Sequence, residues 1–410
     1  MIGSLFAGIS GLNANATALT VIGDNIANVN TTAFKSNSSS FANVLSQALG
    51  GSVSNNIGRG VEYWATSPQW TQGSLETTNS PTDLAINGKG FFVVKDDSGS
   101  SFYTRAGQFY LNEDGDLVNP DGMKVQGYDI DDTTGALGNI VDINIPGERI
   151  SPPQSTTSFS FDINLDSGAD TGDTYSTSQS VFDSLGNAIP MTLTFTKSAN
   201  PQEWTVAASI PAAIGSATVN GGATAPVTFN EDGELTAPAA DATVSLTLTN
   251  GADSPQDITW DLYDDSGNDL EDVTGFAASS NTTFQHQDGY AAGVLQGISV
   301  DEEGVVTASY SNGQLTPVFQ LYLADFPSYE GLTKLGNTLY AESLRSGQPL
   351  PGVAGNGRLG GITSGSIEMS NVDLAQEFVK MITTQRAFQA NSRVITTSDE
   401  ILQELINIKR

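Results

Sequence analysis

"GLNANATALTVIGDNIANVNTTAFK", residues 11–35, starts as an apolar helix and dissolves into asparagine and threonine. Leu5, Leu12, Leu19 and Ile26 recur every seven residues, and Ile2, Ile9, Ala16 and Gly23 form a second series in the same frame. Spacings of three and four are the seam of a coiled coil, so this end is expected to pack along another helix. Ala16 and Gly23 are small, which permits close approach. "NVNTT" then ends the helix, because asparagine and threonine side chains compete for backbone hydrogen bonds.

The other end of the chain repeats the pattern. "SNVD", residues 370–373, reads as a capping box. Leu374, Met381, Phe388, Ile395 and Leu402 recur every seven residues, flanked by Ala387, Val394, Ile401 and Ile408. A helix from about Asn371 to Ile408 would be roughly 57 Å long. Burying the N-terminal stripe against one partner helix returns less than ordering that segment costs. Neighbouring chains are expected to supply the rest.

A length of 410 residues implies two to four structural units. Only 15% of residues are charged and 43 are glycine, a mix that suits short strands joined by tight turns. The net charge of -30 is unevenly placed. Asp24 and Glu62 balance Lys35 and Arg59 in residues 1–75, and acids equal bases in residues 369–410, so the whole excess lies between. An acidic middle repels nucleic acid and anionic membrane surfaces. There is no cysteine, hence no disulfide frame and no thiolate chemistry. The first twenty residues do not read as a conventional signal peptide, since the first lysine is Lys35. Nor do they read as a membrane span, because Asn13 and Asn15 interrupt the apolar run.

Between the ends the period switches to two. Residues 102–128 read as three strands separated by Asp114-Gly115 and Asp121-Gly122 turns, and residues 304–323 contain an Asn312-Gly313 hairpin signal. Alternation continues through Phe159, Phe161 and Ile163, then Met191, Leu193 and Phe195, then Trp204, Val206 and Ala208, and Val244, Leu246 and Leu248. Residues 36–81 and 346–365 read as irregular connections. Crossings near residues 146–157 and 281–289 make the second β unit an insertion in the first. The expected fold is multidomain α+β, with paired N- and C-terminal coiled-coil helices and two nested, mostly antiparallel β domains. The expected division is 1–35 and 370–410 for the helical domain, with 36–80 and 346–369 as connections. Residues 81–146 and 285–345 then form the inner β domain, and 147–284 an inserted outer β domain.

No catalytic constellation emerges, so no enzyme, cofactor or metal is expected. "GNGRLG", residues 355–360, has the G-x-G-x-x-G spacing but not the strand and helix that a phosphate site needs. "NEDGD" and "DLYDDSGND" lack the full ligand spacing of a calcium loop. Acid pairs such as Asp131/Asp132 and Glu302/Glu303 read as solvated turns. The single histidine, His286, has no local metal-ligand cluster.

Residues 11–35, with "LAINGKGFFVV" (84–94), "YTRAGQFYLNEDGDLVNPDGMKVQGY" (103–128) and the C-terminal stretch 370–408, resemble the bacterial flagellar axial proteins, the rod and hook family. The resemblance covers nearly the whole chain. The large insertion, with "SVFDSLGNAIPMTLTF" (180–195), is similar to the hook members rather than the rod. The resemblance implies a structural subunit of a flexible tubular joint that passes torque from rod to filament and encloses an export channel. It implies helical self-assembly, with rod, hook-cap and hook-filament junction proteins and the export apparatus as partners. It also implies an extracellular place in the flagellum, reached without a cleaved signal, with neither nucleic acid nor membrane insertion. Ile2, Leu5, Ile9, Leu12, Leu19 and Ile26 would form one assembly seam, and Leu374, Met381, Phe388, Ile395 and Leu402 the other. Asn25, Asn28, Asn30, Thr31 and Phe34 would form the polar connection to the β domains. Two other readings stay open: a distal rod or junction component, and a secreted carbohydrate-binding β protein.

If the terminal helices depend on neighbouring chains, a dilute monomer exchanges its amide hydrogens quickly at both ends. Slow exchange throughout both terminal segments, measured by hydrogen exchange with mass spectrometry, would contradict this.

Overall fold

The computed structural model describes residues 2–44, 47–48, 56–57, 59–131, 134–145, 150–263, 270 and 272–408. The chain is mostly β-sheet with a long helix toward each end, α1 (Ile2–Ala27) and α2 (Leu374–Ile408), a multidomain α+β protein. It divides into two compact units. The first comprises Met1–Gly147, Gly297–Ser309 and Leu315–Arg410; the second comprises Glu148–Gln296 and Tyr310–Gln314.

In the first unit, α1 tolerates its polar residues by bonding them to its own backbone. Asn15 Nδ2 donates to Gly11 O (2.7 Å), Thr17 Oγ1 to Asn13 O (3.1 Å) and Thr20 Oγ1 to Ala16 O (3.2 Å). Asn13 and Asn15 were expected to rule out a membrane span. Yet residues 3–27 are long and apolar enough to cross a bilayer, by length and composition alone. Here the helix packs instead on α2 and on a hairpin. α2 begins three residues later than the capping box suggests. Its cap is Asp373, whose Oδ1 accepts from Ala375 N (2.8 Å) and Gln376 N (3.2 Å).

The segments read as irregular are largely strands. Asn37–Asn43 pairs antiparallel with Val61–Pro68, Leu75–Thr77 with Ser366–Glu368, and Leu84–Asn87 with Gly361–Ser364. Serine and asparagine in Asn37–Asn43 give no apolar alternation, so the pairing is invisible without its partner. The hairpin presses on α1 through Gly60 (φ 105°), where a Cβ would overlap Ser10 Oγ. A strand, Leu350–Gly352, does precede "GNGRLG", contrary to the sequence reading, but the segment after it is a strand and not a helix.

The main sheet of this unit runs in the order Leu315–Leu321, Lys124–Ile130, Phe91–Lys95, Ser101–Thr104, Leu339–Ala341, Thr333–Gly336. Gly115 (φ 82°) and Gly122 (φ 80°) make the two Asp-Gly turns. Phe91, Tyr103, Phe326 and Tyr340 pack with Trp70 and Tyr329 in edge-on and tilted contacts. Gly107 lies beneath this body, with Phe92 and the Leu84 backbone directly against it.

The second unit is a sandwich. One sheet runs Gly215–Val219, Ala242–Leu248, Gln256–Trp260, Ser158–Asn164, Val273–Thr274, with Asn281–Gln287 on the other side of Ser158–Asn164. The other runs Thr174–Phe182, Ala188–Lys197, Glu203–Ser209, Ala225–Phe229, Leu235–Ala237. Inward residues alternate with exposed ones, and Phe159, Phe161, Phe195, Trp204 and Trp260 fill the space between the sheets. Residues 146–149 of the first crossing, Asp132, and residues 264–269 of "DLYDDSGND" lie outside the described residues.

A Cβ on Gly107 would overlap the Leu84 carbonyl oxygen, a backbone atom that cannot step aside. Gly107→Ala is therefore expected to cost about 3 kcal/mol. Gly297→Ala, with open space around it, should be nearly silent. Urea unfolding of the two variants checks the contrast.

Candidate functional site

Where α1 ends, the chain turns back beneath it. Asn28 Nδ2 donates to Asp24 O (2.9 Å) and Thr31 Oγ1 to Asn28 Oδ1 (3.1 Å). Ala33 is fully buried with φ 57°, a left-handed conformation uncommon outside glycine. Its N–H donates to Glu368 O (2.7 Å), so the chain leaving α1 lies beside the chain entering α2. Asn371 stitches the two: its Oδ1 accepts from Ser36 N (2.7 Å), and its Nδ2 donates to Gln69 O (2.8 Å) and Thr71 Oγ1 (2.9 Å). Asn25, buried on α1, bonds both backbone groups of Asn37 at 2.8 Å and reaches Glu377 Oε2 on α2 at 3.3 Å.

Below this stitching sits a buried ionic cluster. Glu368 Oε1 accepts from Lys35 Nζ (2.6 Å) and Gly73 N (2.9 Å), and Glu368 Oε2 from Arg105 Nη1 (3.3 Å). The Lys35 and Glu368 side chains are 1% and 0% exposed. Lys35 Nζ also donates to Thr71 O (2.8 Å), Arg105 Nη2 donates to Gly88 O (2.6 Å), and the guanidinium stands 5.6 Å from the Phe91 ring centroid. Burial pulls the Lys35 ammonium below its ordinary pKa, and the Glu368 carboxylate opposes the shift. Two cations share one anion here, so every member depends on Glu368.

Above the joint, α1 and α2 run antiparallel. The hydroxyls of Ser4 and Ser398 lie 3.4 Å apart. A Cβ on Gly8 would stand 3.1 Å from Ile395, and one on Gly11 2.7 Å from Asn391 Nδ2. These contacts, with Asn25–Glu377, keep a seven-residue frame. On α1 the line is Ser4, Gly11, Ala18, Asn25, with Gly8 and Ile22 between. On α2 it is Glu377, Thr384, Asn391, Ser398, with Met381, Phe388, Ile395 and Leu402 between.

The α1 line that faces α2 within the chain lies one position away from the stripe expected for assembly. Leu5, Leu12, Leu19 and Ile26 flank the contact and are half-buried, Ile9 is exposed, and Ile2 falls outside the residues whose side chains are described. On α2, Met381, Phe388, Ile395 and Leu402 are half-buried and Leu374 is 40% exposed. The second α2 line is polar rather than Val394 and Ile401, which are exposed. Glycine and alanine outrank leucine at this contact because they let the backbones approach. The period was readable, but the facing residues carried no apolar signal. Of the polar connection, Asn25 is buried, Asn28, Thr31 and Phe34 are half-buried, and Asn30 is exposed. Lys35, Arg105, Glu368 and Asn371 were missed. A lone buried charge has no local pattern, and their partners lie far away in sequence.

Four family models match. Flagella basal body rod protein covers residues 5–35, and flagellar hook protein FlgE/F/G D1 domain covers 85–165. Flagellar basal body protein FlaE D2 domain covers 153–290, and flagellar basal body rod FlgEFG protein C-terminal covers 363–408. Flagellar hook protein FlgE of Borreliella burgdorferi is 35% identical over 100% of both chains. That of Salmonella typhimurium is 36% identical over 98% of both. The crystal structure of Helicobacter pylori flagellar hook protein FlgE2 matches with a TM-score of 0.50 at 16% identity. It covers 70% of this chain and 98% of that one, a likeness of fold alone.

Glu368→Gln strands two buried cations and is expected to cost about 3–5 kcal/mol. Lys35→Met should cost less, because Arg105 still faces the carboxylate. Urea unfolding of the full chain gives the ranking, and the reverse order would refute the cluster's dependence on Glu368.

Proposed function

The chain belongs to the flagellar hook protein family, and from that membership we propose how its geometry is used. It is a structural subunit of the bacterial flagellar hook and not an enzyme. Its copies assemble with one another in the flagellum. In our reading α1 and α2 form an antiparallel coiled coil that packs against the helices of neighbouring copies and lines a narrow central channel. The observation that carries this is the set of apolar side chains along α2 that a single chain leaves uncovered: Phe378, Val379, Ile382, Ile401 and Ile406 are all about half exposed or more. Exposed apolar side chains repeated along one helix mark an interaction surface. Leu5, Ile9, Leu12, Leu19 and Ile26 of α1, with Leu374, would join that packing from the flanks.

The division proposed for assembly is a helical core of 1–35 and 370–410, connections at 36–80 and 346–369, an inner β layer of 81–146 and 285–345, and an outer layer of 147–284. The tightly stitched joint would transfer torsional load from helices to β layers. The outer layer, acidic and poor in large apolar contacts, would exchange neighbours as a curved tube turns, which makes the tube a universal joint. Rod, hook-cap and hook-filament junction proteins would meet its ends. The subunit would travel through the flagellar export apparatus without a cleaved signal. The insertion at 153–290 favours this reading over a rod component.

Deleting residues 1–30 removes α1 and half of the core. Full-length protein is expected to form short curved tubes under polymerising conditions, seen by electron microscopy, and the truncated chain none. Tubes from the truncated chain would refute the helical core.

A further inference from the structure

We propose that copies of the second unit join edge to edge, the free edge of Asn281–Gln287 in one copy lying against that of Gly215–Val219 in the next. This rests on the polymer reading above and names a contact within it.

The two strands close opposite ends of the same six-stranded sheet. Among the described residues, Asn281–Gln287 pairs only with Ser158–Asn164, while Gly215–Val219 pairs with Ala242–Leu248 and is tied at its ends, Val219 bridging Gly222 and Gly215 N donating to Pro211 O, which leaves Ala217 at the middle of that edge. Each therefore presents unpaired backbone groups. Proteins normally guard such edges with lysine, glutamate, proline or a cover. Neither strand contains lysine, glutamate or proline, and the only irregularity is a bulge at Thr283 of Asn281–Gln287.

Charge placement singles out the same two edges. Arg149 and Lys197 are the unit's only bases, against twenty acids, and Lys197 is buried. Copies of this unit must therefore repel each other over most of their surface. Two long stretches lack any aspartate, glutamate, lysine or arginine: residues 204–230, which contain the first edge, and residues 273–287, which contain the second. Like-charged copies can approach there at least electrostatic cost. Phe284 is 55% exposed on the second edge, its ring stacked on that of His286.

The second edge is also held open. Thr174–Phe182 ends the other sheet and faces it. The hydroxyls of Tyr175 and Thr282 lie 2.8 Å apart at one end. At the other end Thr156 Oγ1 accepts from Phe182 N and donates to Gln287 Oε1, both at 2.9 Å. Between these ties is a cavity of about 430 Å³ lined by Thr177, Thr282, Thr283, Phe284 and Gln285. Beside Thr177 on the inward face, buried Gln179 leaves its Oε1 without a hydrogen-bond partner. Polar side chains thus replace core where the sandwich gapes. Pairing two different edges is heterologous, so it propagates openly instead of closing as a two-fold dimer, which is what a helical polymer requires.

The chain has no cysteine, so single thiols can be placed cleanly. Gln285→Cys, Ser216→Cys and, as a control on an exposed turn, Asn200→Cys would each be carried as a minority in tubes of wild-type chain. Labelling by a charged maleimide is compared with the free monomer. The proposal expects the first two to label about tenfold more slowly in tubes, as buried interface positions do, and the third at its monomer rate. Labelling of either edge variant at its monomer rate overturns the proposal, as does equal protection of all three. Failure of the wild-type chain to form tubes would instead overturn the polymer reading.

Discussion

The Glu368 carboxylate can be buried only while Lys35, Gly73 and Arg105 all reach it. Leaving one side of such a buried pair unmatched costs about 3–5 kcal/mol, a large share of a domain's stability. The donors come from three segments: the chain just past α1, the connection before the sheet, and the end of the Ser101–Thr104 strand. Glu368 itself ends the Ser366–Glu368 strand shortly before α2. Satisfying one carboxylate therefore fixes the exits of both helices relative to the β body. Ala33 accepts its unfavourable backbone because its N–H serves the Glu368 carbonyl in the same place. Helix exits so pinned cannot swivel independently, which suits a part that carries load from an axis to a surrounding layer.

The second unit follows a different economy. Its core is apolar and closely packed, with two tryptophans and three phenylalanines at the centre. Its charge is almost entirely of one sign and, Asp183 and Lys197 apart, is not buried among the described residues. A unit like this is held together by its interior and repelled from its copies over most of its surface. The neutral, balanced termini have the opposite arrangement: modest internal packing and apolar faces turned outward. In the proposed assembly one chain would thus separate the regions that hold from the regions that slip.

Periodicity made the helices, the alternating strands of the sandwich and the Asp-Gly turns legible before any coordinates. These signals are local, each residue standing within a few positions of its neighbours in the pattern. The Asn37–Asn43 strand was not legible, because a run of serine and asparagine becomes a strand only when Val61–Pro68 lies beside it. The helix contact was half legible. Leucine drew attention from the glycine and serine one position away, where the backbones approach. The ionic cluster was illegible, since Lys35, Arg105 and Glu368 are joined only by the fold.

The surfaces of α1 and α2 that face each other set a line of serine, glycine, alanine and asparagine on α1 against one of glutamate, threonine, asparagine and serine on α2, with Ile22 and the half-buried Met381, Phe388, Ile395 and Leu402 beside them. Such a zip grips weakly and reads its alignment strictly, because sliding by one turn would part Glu377 from Asn25 and put side chains where Gly8 and Gly11 leave room for none. Its two halves are separated along the chain by every strand of the β body. The earlier half must wait for all of those strands to be made before its match exists, and on the side meant for that match it offers little for a stranger to adhere to.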